Sequence, residues 1–375
     1  MLEGELIDAD GKVFKKGDWR SGYYRDQTLM FALGLTTVKQ YFSQLYGDAD
    51  TCREPSSGGR QMNSHFASRL LDQKGQWLSQ AQNINSSADL SPTAGQMARL
   101  VGLGYASKIY RNTDLFKNWK PYKKFSNQGN EIAFGTIGNA STSEGVFWET
   151  INAIGVLQIP VIVSVWDDDY GISVPNRYQT VKSSISKALA GMHPQANEYG
   201  VTIYTVKGNE YPDLIKTYQQ AAHKCRRNHQ PCLIHVTHCT QPQGHSTSGS
   251  HERYKNPERL NYEKEIDGIK CFRQWILESK LADEQALQEI QAMPQSANKD
   301  FALNGFISGL AGQDGEAAVA WASEITMPGM RESAMVRAAK QYYKQDSSAT
   351  QEWFVSSGLP VETWYQISGA NPKID

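Results

Sequence analysis

Neither sign of charge dominates this chain: 38 lysines and arginines stand against 39 aspartates and glutamates, a net charge of −1. Without a basic excess there is no electrostatic footprint for nucleic acid or an anionic membrane surface. No run of about 18 apolar residues occurs, so no membrane span is expected. The opening MLEGELIDADGKVFKKGDWR also lacks the apolar core of a signal peptide. The five cysteines (Cys52, Cys225, Cys232, Cys239, Cys271) are odd in number and include no Cys-x-x-Cys pair. They read as reduced thiols of a cytoplasmic protein, not as a disulfide framework or zinc site. Internal repeats and long low-complexity segments are missing. The fingerprint GxGxxG is absent after the first strand, which argues against a nicotinamide enzyme.

What is present is an apolar fraction of 39% over 375 residues, enough for one large domain or two ordinary ones. In DQTLMFALGLTTVKQYFSQLYG, the residues Leu29, Phe31 or Ala32, Leu35 and Val38 recur at helix spacing. Ser91-Pro92 marks a plausible start for the helix TAGQMARLVGLGYASKIYR. EIAFGTIG and VIVSVW read as strands around the amphipathic helix SEGVFWETINAIGVL. GVTIYTVKG and PCLIHVTHC read as strands around YPDLIKTYQQAAHKCRRN. Alternating strands and helices predict an α/β fold with a doubly wound, mostly parallel sheet over residues 1–262. Residues 263–375 show helix patterns only, as in KEIDGIKCFRQWILESK and AAVAWASEI, and predict a helical C-terminal extension.

Loops after the strands of a parallel sheet share one edge, where ligands bind. Gly138 ends one strand and Trp166 another. If those strands are neighbours, Asn139-Ala140 and Asp167 to Tyr170 lie side by side. The intervening helix buries Phe147, Ile151, Ile154 and Leu157, and its amino-terminal end favours an anion. Carboxylates beside an anion site repel a phosphate unless a divalent cation bridges them. Mg²⁺ accepts one or two protein oxygens with phosphate and water. Asn139, one aspartate of the cluster and a backbone carbonyl are the candidate protein ligands, and a diphosphate is the implied partner. Three consecutive aspartates also serve as an ordinary solvated turn.

Gly138-Asn139-Ala140 followed by Asp168 and Tyr170 resembles the thiamine-diphosphate motif, usually Gly-Asp-Gly with a later Asn-Asn. The whole stretch resembles the alpha subunit of the decarboxylating component of 2-oxo acid dehydrogenase complexes. It also looks like the bacterial group with alpha and beta parts fused in one chain. YYRD (Tyr24, Arg25, Asp26), GRQMNSH (Gly59 to His65), SPTA (Ser91 to Ala94) and GHSTSG (Gly244 to Gly249) follow in the family order. GRQM and SP-x-A lean toward branched-chain members. The resemblance implies thiamine diphosphate and Mg²⁺ as cofactors, with Tyr24 and Arg25 on the diphosphate. It implies Ser91, Pro92 and Thr93 near the cofactor ring, alongside Gly138, Asn139, Ala140, Trp166, Asp168 and Tyr170. His245 is the implied catalytic residue beside the reacting centre, and His65 a second candidate in the substrate pocket. Asn139 stands where the family has its metal-binding Asp, and Asp168 where it has Asn, so amide and carboxylate look exchanged. Gln241 and Gly249 depart from a common Arg and Asp. Ser246 and Ser248 match positions phosphorylated in some relatives and read here as plain loop hydroxyls.

The implied activity is oxidative decarboxylation of a 2-oxo acid with acyl transfer to a lipoyl group. The implied partners are a beta subunit or fused beta domain and a lipoyl-bearing acyltransferase. The carboxylate that activates the cofactor belongs to the beta part in this family, so the chain reads as the diphosphate-binding half of a site. Two alternatives stand beside this reading. One is a transketolase-like or acetoin-cleaving thiamine enzyme, distinguished by activity without a lipoyl acceptor. The other is a non-catalytic relative, disfavoured by the joint retention of Arg25, Asp168 and His245.

Overall fold

The computed structural model describes residues 6–7, 13–14 and 17–369, apart from 117, 120, 196–197, 243, 247–249, 284–299, 301–302, 305–306, 308–309 and 312–313. It divides into two compact units, residues 1–272 and 273–375.

In the first unit, a short antiparallel pair, β1 (Leu6–Ile7) and β2 (Val13–Phe14), precedes β3 (Trp19–Ser21). Next come α1 (Gln27–Ala32), α2 (Val38–Leu45), β4 (Asn85–Ser86), α3 (Gln96–Asn112), α4 (Tyr122–Phe125) and β5 (Ala133–Gly138). α5 (Gly145–Leu157) crosses to β6 (Val161–Trp166), and the small pair β7 (Tyr170–Gly171) and β8 (Val174–Pro175) follows. α6 (Ile185–Ala188), β9 (Thr202–Lys207), α7 (Tyr211–Asn228), β10 (Cys232–Thr237) and α8 (Pro257–Glu265) complete the series, and α9 (Gly268–Glu278) spans the division between the units. Six strands form one sheet in the order β4-β3-β5-β6-β10-β9, and every pairing in it is parallel.

Side-chain alternation explains the two-sided core. Val161, Val163 and Val165 of β6 face α3 and α5, where they meet Met97, Leu100, Phe147, Ile151 and Ile154. Ile162 faces the other way with Phe134, Ile234 and the α7 residues Ala221 and Cys225. Each such fully buried aliphatic side chain contributes roughly 1.5–3 kcal/mol. Gly104 lets α3 approach the sheet closely, since a Cβ there would lie 2.5 Å from Val161.

Three helix boundaries differ from the periodicity. The run from Leu29 to Val38 is two helices: the chain turns at Gly34 (φ 66), and α2 restarts behind a Thr37–Gln40 capping box. Val38 is consequently exposed. α3 begins at Gln96, because Ala94 takes a left-handed φ of 59 and ends the turn that Ser91-Pro92 opens. KEIDGIK breaks between α8 and α9, where the Asp267 carboxylate accepts the backbone N–H of Lys270 at 3.0 Å. Among the described residues no helix is long and apolar enough to cross a membrane. The second unit includes helices at Gly315–Ser323, Pro328–Gln345, Ser347–Ser356 and Thr363–Ser368. Its core includes Ala318, Val319, Ala338, Ala339, Trp364 and Ile367.

Candidate cofactor site

β5 and β6 are neighbours, with Gly138 opposite Trp166. The Asn139 backbone N–H donates to the Trp166 carbonyl at 3.1 Å, and the Asp167 N–H to that of Val236 at 2.8 Å. These bonds carry the parallel ladder one residue past the strand ends and aim both loops along the carboxyl edge. Asn139 Nδ2 lies 3.3 Å from the Tyr170 carbonyl, and the Asp168 carboxylate accepts the Tyr170 N–H at 3.3 Å. Asn139, Asp168 and Tyr170 are thus brought together. Gly171 seats this loop tightly, since a Cβ there would lie 2.6 Å from that of Ala140. Ala140 opens the short turn that leads into α5.

The three aspartates have separate roles. Asp167 is buried and accepts from His235 Nε2 (2.8 Å), Asn176 Nδ2 (2.9 Å) and the Asp169 N–H (2.8 Å). Burial would raise its pKa, but the His235, Asp169 and Asn176 hydrogen bonds hold it below the usual carboxylate range. Asp169 is the outward member and pairs with Arg259 at 2.5 Å. Asp168 is only 8% exposed, and burial pushes its carboxyl up to about 6 against the Tyr170 hydrogen bond and the charge of Lys255. Lys255 is itself committed to Glu263 at 2.8 Å. Two of the three carboxylates are therefore buried, which a solvated turn does not do.

One carboxylate, one carboxamide oxygen and one carbonyl make an all-oxygen set of charge −1. That set suits Mg²⁺, which takes its remaining ligands from phosphate and water. Among the described residues no three His, Cys, Asp or Glu side chains cluster as a metal cage.

Residues far apart in sequence converge beside this edge. Arg25 Nη2 donates to His245 Nε2 at 3.0 Å and to the His245 carbonyl at 2.9 Å. Guanidinium only donates, so His245 Nε2 is the acceptor and its proton sits on Nδ1. Burial and then the Arg25 charge push the His245 pKa down, which keeps the imidazole neutral. The Tyr254 hydroxyl takes a hydrogen bond from the His245 backbone, and its ring lies 5.9 Å from that of Tyr170. Tyr24 is 41% exposed with Arg25 over its ring at 5.4 Å. Its neighbour Tyr23 is the one turned inward: a Cβ on Gly138 would lie 3.6 Å from the Tyr23 hydroxyl. His65 Nε2 meets Ser91 Oγ at 2.9 Å, and its Nδ1 meets the Asn63 carbonyl at 3.2 Å. A carbonyl only accepts, so Nδ1 donates to it. Ser91, Pro92 and Thr93 are exposed. Trp166 offers the site its carbonyl, while its indole packs on the α7 side and donates to Ser164 Oγ at 3.0 Å. Ser248 and Gly249 lie outside the described residues.

Sequence reasoning missed the supports. Arg20 is completely buried, ion-paired to Asp26 at 2.7 Å and Asp89 at 3.0 Å, and it donates to Ser86 Oγ at 2.7 Å. Asp26 also accepts from Thr136 Oγ1 on β5. This cluster ties the Tyr24–Arg25 loop to the loop before Ser91. Asn176 and His235 were missed as well. Their partners lie 9 to 68 residues away, so no spacing signals them.

Residues 9–300 match the family model described as Dehydrogenase E1 component. The 2-oxoisovalerate dehydrogenase subunit alpha of Bacillus subtilis is 26% identical over 303 residues, covering 80% of this chain and 79% of that one. The pyruvate dehydrogenase E1 component subunit alpha of Rickettsia felis is 22% identical over 286 residues, covering 76% and 74%. A solved transketolase from Campylobacter jejuni is 14% identical, covering 71% of this chain and 47% of its own, with a TM-score of 0.30 that carries no weight for the fold. The chain belongs to the dehydrogenase E1 component family. Enzymes of that family depend on thiamine diphosphate and a divalent metal ion.

Proposed function

We propose that this chain is the diphosphate-binding, alpha part of a 2-oxo acid dehydrogenase, acting on a branched-chain 2-oxo acid. The observation that carries the reading is the convergence of Asn139, Asp168 and the Tyr170 carbonyl at one sheet edge beside the Arg25–His245 pair. The branched-chain assignment rests on GRQM, on SP-x-A and on the name of the Bacillus relative. Thiamine diphosphate, when bound, supplies the ring that accepts the electron pair released by decarboxylation. This chain's residues bind and orient. Asn139, Asp168 and the Tyr170 carbonyl would hold Mg²⁺. Arg25 and Tyr24 would hold the diphosphate, a task that suits the guanidinium fork of Arg25. Neutral His245, whose Nε2 accepts from Arg25, would donate from its Nδ1–H to the 2-oxo acid, and His65 with Ser91 would line the pocket. The α/β part, residues 1–262, forms the functional domain, and the helical part has no role in this reading. The beta subunit or fused beta domain completes the site, and a lipoyl-bearing acyltransferase takes the acyl group.

Calorimetric titration with thiamine diphosphate, with and without Mg²⁺ and with the beta part present, tests this. Mg²⁺-dependent binding is expected for the wild type and its loss for Asp168→Asn. Adding Asn139→Asp to that variant partly restores binding, since the site regains one carboxylate. A double variant as inactive in binding as the single one removes the exchanged-ligand idea.

A further inference from the structure

A carboxylate meets a cation with either oxygen. A carboxamide has one oxygen, and its other arm is a donor that a cation repels. Asn139 is therefore a metal ligand in only one of its two orientations, and something must select it. We infer that Asn176 is a positioning residue: it locks the Asn139 carboxamide with nitrogen turned away from the cation and Oδ1 left free to ligate. The inference deepens the proposed function and rests on it, since only a cation asks for that oxygen.

The selection starts at Asp167. Its Oδ1 already accepts the Asp169 backbone N–H at 2.8 Å and its Oδ2 faces His235 Nε2, so the Asn176 arm that meets Oδ1 at 2.9 Å is the NH₂ group. The Asn176 oxygen is thereby turned to Asn139, 2.8 Å from Nδ2. An amide oxygen only accepts, so Asn139 presents its NH₂ there, where it also reaches the Tyr170 carbonyl at 3.3 Å. Asn139 Oδ1 is the remaining arm. His235 holds the far oxygen of Asp167 at 2.8 Å, and its own Nδ1 meets Ser186 Oγ at 3.0 Å. Asn139, Asn176 and Asp167 are 3%, 6% and 3% exposed, so water does not readily replace a reversed link. Turning either carboxamide over sets oxygen against oxygen. Amide orientation is ordinarily ambiguous; here the fixed acceptor at Asp167 removes the ambiguity.

The chain with its beta part present is titrated with thiamine diphosphate and Mg²⁺ in a double-mutant cycle. Asn176→Leu is expected to weaken Mg²⁺-dependent affinity on the order of 10-fold to 100-fold. In the Asn139→Asp background the same change is neutral or improves affinity, because a carboxylate needs no orienting and the Asn176 oxygen would oppose it. An equal loss in both backgrounds, or no loss in the first, overturns the positioning role while leaving the binding reading intact. No Mg²⁺-dependent binding by the wild type overturns both. Neutron diffraction from the wild-type chain distinguishes amide nitrogen from oxygen and needs neither ligand nor variant. Nδ2 facing Asn176 is expected, and Oδ1 facing Asn176 overturns the proposal even if Asn176→Leu does not fold.

Discussion

The carboxyl edge of the sheet holds two buried acidic clusters that are supplied with positive charge in opposite ways. Around β3, Asp26 and Asp89 share the Arg20 guanidinium at 2.7 and 3.0 Å, with all three side chains at 0% exposure. Beyond β6, Asp168 is buried too, but the cation whose charge acts on it, Lys255, is bonded to Glu263. The first cluster carries its counter-charge in the fold. The second is left short of one and matches an ion that arrives with a ligand. Burying a charge is costly in either case, so what differs is who supplies the partner: the chain itself or the cofactor.

That contrast breaks first at Arg20. Arg20→Met leaves two buried carboxylates without their cation and is expected to destabilise the protein by about 4 kcal/mol in urea unfolding at pH 8. A loss below about 1 kcal/mol would place Arg20 outside the load the fold bears. Glu131 offers a control away from both clusters. Burial pushes its carboxyl up to about 7 despite hydrogen bonds from Asn127 and Ser126. A raised folded pKa means the fold favours the protonated acid. Its stability is fully present below pH 4.5 and lost as pH rises through 7. Glu131→Gln should therefore leave stability at pH 4.5 nearly unchanged and raise it at pH 8, on the order of 2 kcal/mol. The smallest effect is expected at Asp168, whose carboxyl is raised to about 6. By the same sign, ligand-free protein loses stability as pH rises from about 4 to 6, and Asp168→Asn recovers about 1 kcal/mol at pH 8. Arg20→Met and Asp168→Asn thus move ligand-free stability in opposite directions. If both destabilise alike, the two clusters are of one kind.

The β5–α5–β6 unit and the meeting of Asn139 with Asp168 were legible because their signals are local. Apolar runs of strand length, a buried helix face at Phe147, Ile151 and Ile154, and the rule that parallel strands open ligands at their carboxyl ends suffice. The break between α1 and α2 was not legible: Gly34 and the Thr37 cap override a periodic pattern that continues past them. Motif order assigned Arg25, His245, His65 and Ser91 to one site, but the pairings of Arg25 with His245 and of His65 with Ser91, across 220 and 26 residues, come from the structure alone. Arg20 with Ser86 and with Asp89, and Asp167 with His235, are pairings between elements distant in sequence, and nothing in composition marks them.

The loop that carries the three aspartates is gripped by its main chain. The Asp167 N–H and carbonyl bond to Val236 and Cys239, and the Arg259 guanidinium holds the Asp168 carbonyl at 2.8 Å. Across the edge, the Asn139 N–H holds the Trp166 carbonyl. None of these bonds depends on which side chain the residue bears. The backbone therefore behaves as a socket whose fittings can be changed one at a time without reshaping the wall. An acid and an amide can trade places across 29 residues of sequence by two point substitutions that leave the path of the chain intact. Such a socket separates the identity of the ligands from the path of the chain: a substitution can abolish binding while the fold stays still.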